Sequence, residues 1–396
     1  MNFYTQIGLT HEEFTERYEN TGLVERRHHH EFPLDILHYS RKCVQENIWD
    51  AVTGKCRGII ITRGADGGEI VSRPFEKFHN YGAEPGWGAT TFTPDAKFVT
   101  IWEKMDGFMC TLYTWEGVDY IASKGSFDSI HAKWATAWLR KKFGKSLEVP
   151  AAYTAVFEGL HRDLRIVVDY GLRQELVLLA LINKETGEEF TPGALFAWAD
   201  SRGLSMPRLG RQTLDYAVKH TLTNEFEDGL EEGYVLTWYQ NGKPPFRLKL
   251  KFIEYLRLHR MVTGVSPKRI WEVLATNQST ELNEYLKQST PWFSAFVQKW
   301  MKALNMEFQR IKTEAIPRYN AASTNVADVL GALTPVECGP ARLRKEFALQ
   351  FTTEENKPYS PVLFAMRDQK DIGPIIWKMV RRMTHGGNPM VDAHST

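Results

Sequence analysis

Short apolar runs, alternating or continuous and separated by turn-forming residues, fill most of the first 253 positions of the chain. Runs of this kind are typical of β-strands. GYVLTWY and FRLKLKF flank Asn241-Gly242, a dipeptide that readily adopts the positive φ values of a tight hairpin turn. The same pattern predicts two further hairpins, RGIIITR with EIVSRPF and FMCTLYT with VDYIASK, and the single strands TAVFE, LRIVVDY and ELVLLALI. An antiparallel, strand-rich α+β domain follows from it.

Helical spacing of apolar residues interrupts and then replaces the strand pattern. A helix is predicted over residues 129–143, and its apolar face is expected to contain Ile130, Trp134, Ala137 and Trp138. After residue 253 the character of the chain changes. Ser266 followed by Pro267 is typical of an N-cap and the first position of a helix. We therefore predict two domains, a strand-rich one over 1–253 and a smaller all-helical one over 254–396.

Composition places the chain among ordinary globular proteins, with 43% hydrophobic and 24% charged residues in 396. The N-terminal segment has no signal-peptide pattern, and LVLLALI, the longest apolar run, is too short to span a membrane. Four cysteines without CxxC spacing indicate reduced thiols and a cytoplasmic protein. Basic residues outnumber acidic ones only in the helical part. That excess fits a polyanionic partner, and chance scatter of surface charge explains it equally well.

Lys104 carries the candidate chemistry, because EKMDG at 103–107 places a lysine at the mouth of an apolar strand. A buried lysine is costly unless it is paired or used for chemistry. The motif is weak alone, and its value lies in the ordered motifs around it. These are RGI at 57–59, SRPFEKF at 72–78, SKG at 123–125, FEG at 157–159, EGYV at 232–235 and KLK at 249–251.

The ordered motifs put many cations and two carboxylates at or beside predicted strands. The residues are Arg57, Lys77, Lys104, Lys124, Lys249 and Lys251, with Glu158 and Glu232. Lysines are strongly depleted from protein cores. If these strands line one cleft, its excess of positive charge and its carboxylates suit a triphosphate and a metal ion.

The order of these motifs resembles that of the covalent nucleotidyltransferases, the ligases and mRNA capping enzymes. It resembles most the bacteriophage RNA ligase 1 family of ATP-dependent single-strand RNA ligases, over the stretch from Tyr39 to Lys251. CRGI at 56–59 and SRPFEKFHN at 72–80 are its most specific parts. The resemblance implies an antiparallel-sheet nucleotidyltransferase domain with an ATP-grasp-like ligase fold. It also implies that the helical domain helps to choose the RNA.

The resemblance also implies roles for individual residues. Lys104 would be the nucleophile that attacks the α-phosphate of ATP and becomes lysyl-AMP. Lys249, Lys251 and a bound Mg²⁺ would lower the pKa of Lys104 and offset charge on the phosphate. Asp106 and Gly107 would form the turn that aims this lysine.

Further residues match family positions around the nucleotide and its metal. Glu158 would hold the ribose or a metal-bound water, and Glu232 would face the metal. The positions around the ATP phosphates are Tyr39, Arg57, Lys77 and Lys124. Mn²⁺ remains an alternative to Mg²⁺, because an oxygen-rich site suits both ions.

Simpler explanations stay open for single residues of this set. Lys77 fits an exposed edge-strand lysine that opposes aggregation. Lys124 ends a predicted strand and fits a solvated position. Glu158 fits an ion pair with His161 or Arg165. The joint pattern, rather than any one residue, favours a nucleotide site.

An ATP-dependent RNA ligase is the function that the resemblance implies. It would seal 5′-phosphate to 3′-hydroxyl ends in RNA, single-stranded or nicked, such as breaks in tRNA anticodon loops, and act as a monomer in the cytoplasm, that of the host cell if a phage encodes it. Two alternatives remain. One is a non-catalytic, nucleotide-dependent RNA-binding protein on a ligase fold, and the other is a GTP-using capping-type enzyme.

Overall fold

The computed structural model describes residues 2–64, 67–82, 99–223, 230–278, 286, 291–332 and 339–384. They divide into two compact units, one with the described residues up to Val262 and the other with those from Thr263 onward. Within these ranges, none of the helices combines the length and the apolar character that a membrane crossing requires.

The described strands of the first unit form three sheets. The first contains, in spatial order, β1 (Val24–His28), β2 (Leu34–Tyr39), β3 (Arg57–Thr62) and β4 (Ile70–Ser72). The second contains β10 (Glu175–Asn183), β9 (Tyr153–Leu160), β7 (Phe108–Trp115) and β8 (Val118–Ser123). The third contains β11 (Leu209–Gly210), β6 (Thr100–Lys104), β12 (Gly233–Gln240), β13 (Lys243–Lys251) and β5 (His79–Asn80). Neighbouring strands pair antiparallel, except that β5 runs parallel to β13.

The three predicted hairpins are confirmed as the pairs β3–β4, β7–β8 and β12–β13. The predicted strand LRIVVDY is wrong, because residues 164–170 form no strand. The N–H groups of Val167 and Val168 donate instead to the carboxylate of Asp106, at 2.8 and 2.7 Å. A side chain therefore satisfies backbone groups that a neighbouring strand would otherwise bond.

Helices that begin in the first unit are α1 (Phe3–Ile7), α2 (His11–Phe14), α3 (Arg41–Gln45), α4 (Ala51–Lys55), α5 (Ile130–Phe143), α6 (Pro192–Asp200), α7 (Leu214–Leu222) and α8 (Ile253–Gly264). Helix α5 starts where predicted, with Ser129 accepting a hydrogen bond from Ala132 N–H. Half of its predicted apolar face is wrong, since Ile130 is 64% exposed and Ala137 is exposed. Trp134 and Trp138 are half-buried and pack against the second sheet's cluster as predicted. The fully buried row is one position further along the helix, and it consists of His131, Ala132, Ala135 and Leu139.

Two hydrophobic clusters cover the second sheet. One joins it to α5 and α6 through residues such as Phe157, Leu139 and Leu195. The other joins it to the first sheet, where Ile36 and Ile60 pack with Tyr113. The strands β2, β3 and β9, which carry Tyr39, Arg57 and Glu158, are thereby fixed by burial of apolar side chains, the dominant favourable contribution to folding.

Helices and the turns between them make up the described residues of the second unit. Its helices are α9 (Pro267–Ala275), α10 (Pro291–Gly331), α11 (Pro340–Phe351), α12 (Ser360–Arg367) and α13 (Gly373–Val380). Helix α9 begins as predicted, with the Ser266 side chain accepting from Arg269 N–H. Buried side chains such as Leu304, Leu363 and Ile376 form its interior. The predicted fold class, antiparallel α+β followed by an all-helical part, is confirmed.

The structural boundary follows Val262, later than the predicted division at 253/254. Helix α8 begins directly after β13 and belongs largely to the first unit. Its Tyr255 is 1% exposed and donates a hydrogen bond to Asp106 at 2.7 Å. The start of α8 is therefore part of the structure around the candidate site.

Candidate active site

Strand register brings Lys104 and Lys251 to the same carboxylate. Gly233 of β12 pairs with Lys104 at the end of β6 and with Lys251 at the end of β13. Glu232 directly precedes this glycine. Its Oε2 lies 2.8 Å from Lys104 Nζ and its Oε1 lies 2.7 Å from Lys251 Nζ. The EKMDG motif thus meets the EGYV and KLK motifs of the β12–β13 hairpin, more than 100 residues later in the chain, in one charged cluster.

The charge state of this cluster follows from burial and pairing. Burial alone would raise the pKa of Glu232, but the ammonium groups of Lys104 and Lys251 hold it below its ordinary value. Burial works to lower the pKa of Lys104, and the carboxylates of Glu232 and Glu158 outweigh it, so this pKa is raised. The sequence-based expectation of a lowered Lys104 pKa is wrong for the free protein, because the nearest charge is a carboxylate rather than another lysine.

Lys249 has the opposite electrostatic environment. In the β12–β13 pair it lies opposite Val235, and its Nζ lies 5.9 Å from the centre of the Phe78 ring. Among the described residues no carboxylate oxygen lies within 4.0 Å of its ammonium. Burial, together with Lys77 and other nearby cations, lowers the pKa of Lys249 to about 7. This lysine is the group in the cluster whose positive charge the protein stabilises least.

Glu158 of β9 closes the other side of Lys104. Its Oε1 accepts a hydrogen bond from Gly107 N–H at 3.1 Å. Burial raises the pKa of Glu158 to about 7, while Lys104 works in the opposite direction. The alternative pairing of Glu158 with His161 or Arg165 is not formed, and Arg165 pairs with Asp169.

Asp106 is a structural anchor as well as part of the EKMDG turn. Its carboxylate accepts from two backbone N–H groups of the segment after β9 and from Tyr255, and its pKa is raised to about 6 by burial first and by Glu232 second. Gly107 packs so closely against β9 that an added Cβ would overlap the carbonyl oxygen of Gly159. The lack of a side chain at Gly107 therefore allows this turn to lie directly against β9.

A second cationic cluster surrounds Tyr39. Lys124 Nζ lies 4.0 Å from the centre of its ring, and Lys77 Nζ lies 5.9 Å from it and 4.6 Å from the ring of Trp49. Burial would raise the pKa of Tyr39, but Lys124, Arg57 and Lys77 together lower it. Lys77 and Lys124 are therefore neither edge-strand nor fully solvated lysines, and both cations share one aromatic platform.

A cavity of about 270 Å³ lies beside the first cluster. The predicted residues that line it are Arg57, Lys104, Asp106, Gly107, Glu158, Glu232 and Lys251. The predicted residues outside its lining are Tyr39, Lys77, Lys124 and Lys249. Lys249 lies between the two groups, because both Lys77 and Lys104 act on its pKa. The structure therefore brings all the predicted positions into one region, arranged as a carboxylate-rich pocket and an adjoining cationic cluster.

Several residues of this region were missed by the sequence analysis. Tyr255 donates a hydrogen bond to the Asp106 carboxylate, and the centre of its ring lies 4.9 Å from Lys251 Nζ. The hydroxyl of Tyr170 accepts a hydrogen bond from Asp106 N–H at 2.8 Å. Arg247 and Thr237 line the cavity from a cross-strand pair. Alternation with Lys249 and Lys251 places Arg247 on the same strand face, a signal that could have been used. The contacts of Tyr170 and Tyr255 with Asp106 join residues far apart in the chain, so the sequence pattern does not predict them.

The carboxylates fit a divalent ion held partly by a nucleotide. The described part of the chain contains no group of three or more histidine, cysteine or acidic side chains placed to hold a metal. Mg²⁺ commonly uses one or two carboxylates together with phosphate oxygens and water. Glu158 and Glu232, on either side of Lys104, are consistent with that mode.

A family model described as RNA ligase matches residues 55–255, a stretch that carries the first cluster and the cations of the second, but not Tyr39 or Trp49. The chain belongs to the RNA ligase family. This match confirms the resemblance and the enzyme class inferred from the motifs. An RNA ligase of Rhodothermus phage RM378 is 23% identical over 383 residues, which cover 82% of this chain and 84% of that protein.

Solved structures with a similar arrangement include other ligases. An archaeal ATP-dependent RNA ligase gives a TM-score of 0.46 at 14% identity, over 79% of this chain and 81% of that one. A Naegleria gruberi RNA ligase variant with ATP and Mn gives 0.33 at 13% identity, over 41% of this chain. The chain spans about half, 51%, of that Naegleria chain. At these TM-scores the assignment to the RNA ligase family rests on the family match alone.

Proposed function

We propose that this member of the RNA ligase family is an ATP-dependent ligase that joins 5′-phosphate and 3′-hydroxyl RNA ends through lysyl-AMP. The observation that carries the proposal is the cluster of Lys104, Glu232 and Lys251 beside a cavity. Next to it is Lys249, which has no carboxylate partner among the described residues and whose pKa is lowered to about 7. A lysine bonded to a buried carboxylate at a cavity wall is costly to build for structure alone.

In the first step, Lys104 Nζ attacks the α-phosphorus of ATP. A nitrogen–phosphorus bond forms, the bond from that phosphorus to the bridging oxygen breaks, and pyrophosphate leaves with the electron pair. Nζ must be neutral when it attacks, so its ammonium proton has to be lost first. Displacing Glu232 from Lys104 removes the main interaction that holds this proton. Nucleotide binding that engages Glu232 would thus lower the pKa of the nucleophile.

The second cationic cluster is suited to the departing pyrophosphate. Arg57, Lys77 and Lys124 lie together around Tyr39, and none of these cations has a carboxylate partner among the described residues. Fixed cations next to a developing negative charge stabilise it without reorganisation. Lys249 adds a positive charge on binding an anion, since its pKa of about 7 would rise beside phosphate.

The later steps transfer AMP to an RNA 5′-phosphate, after which a 3′-hydroxyl attacks and releases AMP. Glu158 and Glu232 would hold a divalent ion, Mg²⁺ or Mn²⁺, which supplies charge stabilisation at the α-phosphate when bound. We propose that the RNA is a tRNA broken in its anticodon loop, that the helical unit helps to select it, and that the ligase acts as a cytoplasmic monomer. The family resemblance supports these finer points.

Radiolabelling tests the proposal. Wild type, Lys104→Ala and Lys243→Ala are incubated with α-³²P-ATP or α-³²P-GTP and a divalent ion, then separated on a denaturing gel. Lys243 is an exposed lysine at the other end of β13 and serves as the control. We expect a covalent band from ATP in wild type and Lys243→Ala and none in Lys104→Ala.

The other outcomes separate the alternatives. A band from GTP alone would indicate a capping-type enzyme. No band in folded protein that mass spectrometry shows to be free of AMP would contradict the ligase proposal and favour the non-catalytic RNA-binding protein. Joining of a nicked tRNA by the labelled protein, with release of AMP, is the expected result of a second experiment.

A further inference from the structure

Two buried polar atoms that line the cavity have no hydrogen-bond partner among the described residues. One is Arg57 Nε, which belongs to the cations already assigned to phosphate. The other is the hydroxyl of Thr237, a residue with 0% exposure in the middle of β12. Buried polar groups in folded proteins are nearly always bonded, so an exception calls for an explanation.

Thr237 lies at the end of the cavity away from the charged cluster. Gly233, Val235 and Thr237 alternate on one face of β12, so Thr237 is roughly 13 Å along the strand from Gly233 at about 3.3 Å per residue. Gly233 pairs with Lys104, whereas Thr237 pairs with Arg247. That span is comparable with a nucleoside monophosphate joined to the lysine.

The apolar and aromatic part of the cavity lining includes Phe75, Phe78, Trp102, Met109, Leu179 and Val235. Phe75 lies beside Arg247, the cross-strand partner of Thr237, with 4.5 Å between the guanidinium carbon and the ring centre. Arg247, the cationic neighbour of Thr237, is held by the carboxylate of Glu189, with 2.7 Å between Arg247 Nη1 and Glu189 Oε1. Ligand sites combine such apolar walls with a few polar groups that fix orientation. The phosphates of a nucleotide would bind at the charged end of the cavity. The flat heterocycle of its base would then lie at the Thr237 end.

We infer that the Thr237 hydroxyl is a nucleobase-contacting group that hydrogen-bonds a ring nitrogen or the exocyclic amine of the ATP adenine. The inference rests on the proposed function, because it assumes that ATP occupies the cavity. A hydroxyl can donate and accept, so Thr237 contributes affinity for a base and orients it. Its cost in the free protein is the unmade hydrogen bond, which base binding removes.

Another buried threonine provides a matched control. Thr111 of β7 is 1% exposed, its hydroxyl also has no partner among the described residues, and it does not line the cavity. Threonine and valine have nearly the same shape. Thr237→Val and Thr111→Val therefore remove equivalent buried hydroxyls, one from a residue that lines the cavity and one from a residue that does not.

The test measures binding of two probes by calorimetry with Mg²⁺ present. The first is α,β-methylene ATP, whose α–β bridge is not cleaved, and the second is inorganic tripolyphosphate, which has no base. We expect Thr237→Val to bind the ATP analogue about three- to tenfold more weakly, the loss of one hydrogen bond. Binding of tripolyphosphate and the melting temperature should not fall. Thr111→Val should bind both probes like wild type, and Thr237→Ser should keep wild-type affinity because it retains the hydroxyl.

Each opposing result has a distinct meaning. Equal affinity of Thr237→Val and wild type for the ATP analogue would overturn the role of Thr237 and leave the proposed function intact. Equal weakening of both probes would also overturn it, since a structural defect is the cause. Failure of wild type itself to bind the analogue would overturn the proposed function together with the inference.

Discussion

Glu232 is the residue on which the protonation of the nucleophile depends. In the free protein its carboxylate raises the pKa of Lys104 against the effect of burial. An ammonium held in this way cannot attack phosphorus. The ion pair therefore keeps Lys104 unreactive until another group, in our proposal a nucleotide with its divalent ion, takes over the carboxylate.

Glu232→Gln is predicted to change two reactivities of Lys104 in opposite directions. Without this carboxylate, burial acts against the weaker effects of Glu158 and Asp106, so the pKa of Lys104 falls. Modification by acetic anhydride at about pH 8 should then speed up roughly tenfold per unit of pKa. Adenylylation by ATP should fall roughly 100-fold, because the variant loses a charged group of the site. Peptide mass spectrometry measures both.

Glu231→Gln is the control for this prediction, because the Glu231 carboxylate pairs with Arg208. It should leave both rates close to wild type. Slower acetylation of Lys104 in Glu232→Gln, or the same changes in Glu231→Gln, would contradict the assigned role of Glu232.

Lys249 should make the free protein less stable at low pH than at high pH. Its pKa is about 7 in the folded protein and 10.5 ordinarily. Between these values the unfolded chain binds a proton that the folded chain lacks, so the Lys249 contribution to the free energy of unfolding rises with pH. Below about pH 7 the full cost of the buried charge is present. Lys249→Met should therefore be more stable than wild type by about 2 kcal/mol near pH 6.5, with the difference shrinking towards pH 9.5.

Urea unfolding across this pH range measures the effect, with Lys243→Met as the control. Lys243 lies on the same strand and is exposed, so its replacement should change stability little and independently of pH. A stability difference between Lys249→Met and wild type that grows as the pH rises would contradict the assigned pKa.

The register of the paired strands brings the site residues together, and the sequence predicts some of these pairings. Asn241-Gly242 predicts the β12–β13 hairpin, but counting back from the Gln240–Lys243 pair would place Gly233 beside Leu250. An irregularity between Trp238 and Gln240 shifts the register by one residue and brings Gly233 beside Lys251, and the turn motif alone does not indicate this shift. The pairing of Gly233 with Lys104 joins strands more than 100 residues apart and has no local signal. Motif order therefore predicts which residues matter, while the Lys104–Glu232 ion pair and its effect on pKa required the packed sheet.

The failures of the sequence analysis have the same physical origin. The segment after β9 is apolar enough to suggest a strand, but Asp106 takes up its N–H groups. Ile130 is apolar but lies in the first turn of α5, beyond the row that faces the sheet. The local sequence pattern shows which residues are hydrophobic. Contacts between residues distant in sequence decide which partners these residues pack against or bond.

Strand β3 positions Lys124 through a glycine. Gly58 has a φ of +99°, and a Cβ there would lie 2.5 Å from the backbone carbonyl oxygen of Lys124. Gly58→Ala should lower the free energy of unfolding by about 2–4 kcal/mol through strain and displacement of the Lys124 backbone. Tripolyphosphate binding should weaken as well, because Lys124 moves away from Tyr39. Chemical unfolding and calorimetry measure the two effects.

Gly117→Ala separates strain from displacement. Gly117 has a φ of +74° in the β7–β8 turn, and nothing lies within 4 Å of an added Cβ. Its replacement should cost only about 1 kcal/mol and leave tripolyphosphate binding unchanged. Equal effects of the two substitutions would show that the approach of β3 to Lys124 has no part in anion binding.

At the scale of the whole chain, the described residues of the candidate site all belong to the first unit. A fragment that ends at Gly264 keeps helix α8 intact. This helix includes Tyr255, which donates a hydrogen bond to Asp106. A fragment of residues 1–264 should therefore label with α-³²P-ATP at Lys104 at a rate close to that of the full chain. The same fragment with Lys104→Ala is the negative control and should not label.

The same fragment tests the role proposed for the helical unit. If that unit selects the RNA, the fragment should lose the preference of the full chain for a nicked tRNA stem-loop over an unstructured RNA with the same ends. A tenfold loss of preference corresponds to about 1.4 kcal/mol of selective binding. Rates of joining for the two RNAs, measured with pre-adenylylated protein, give the preference directly. A fragment that labels normally and keeps the full preference would place RNA selection in the first unit, because only that unit is then available to contact the RNA.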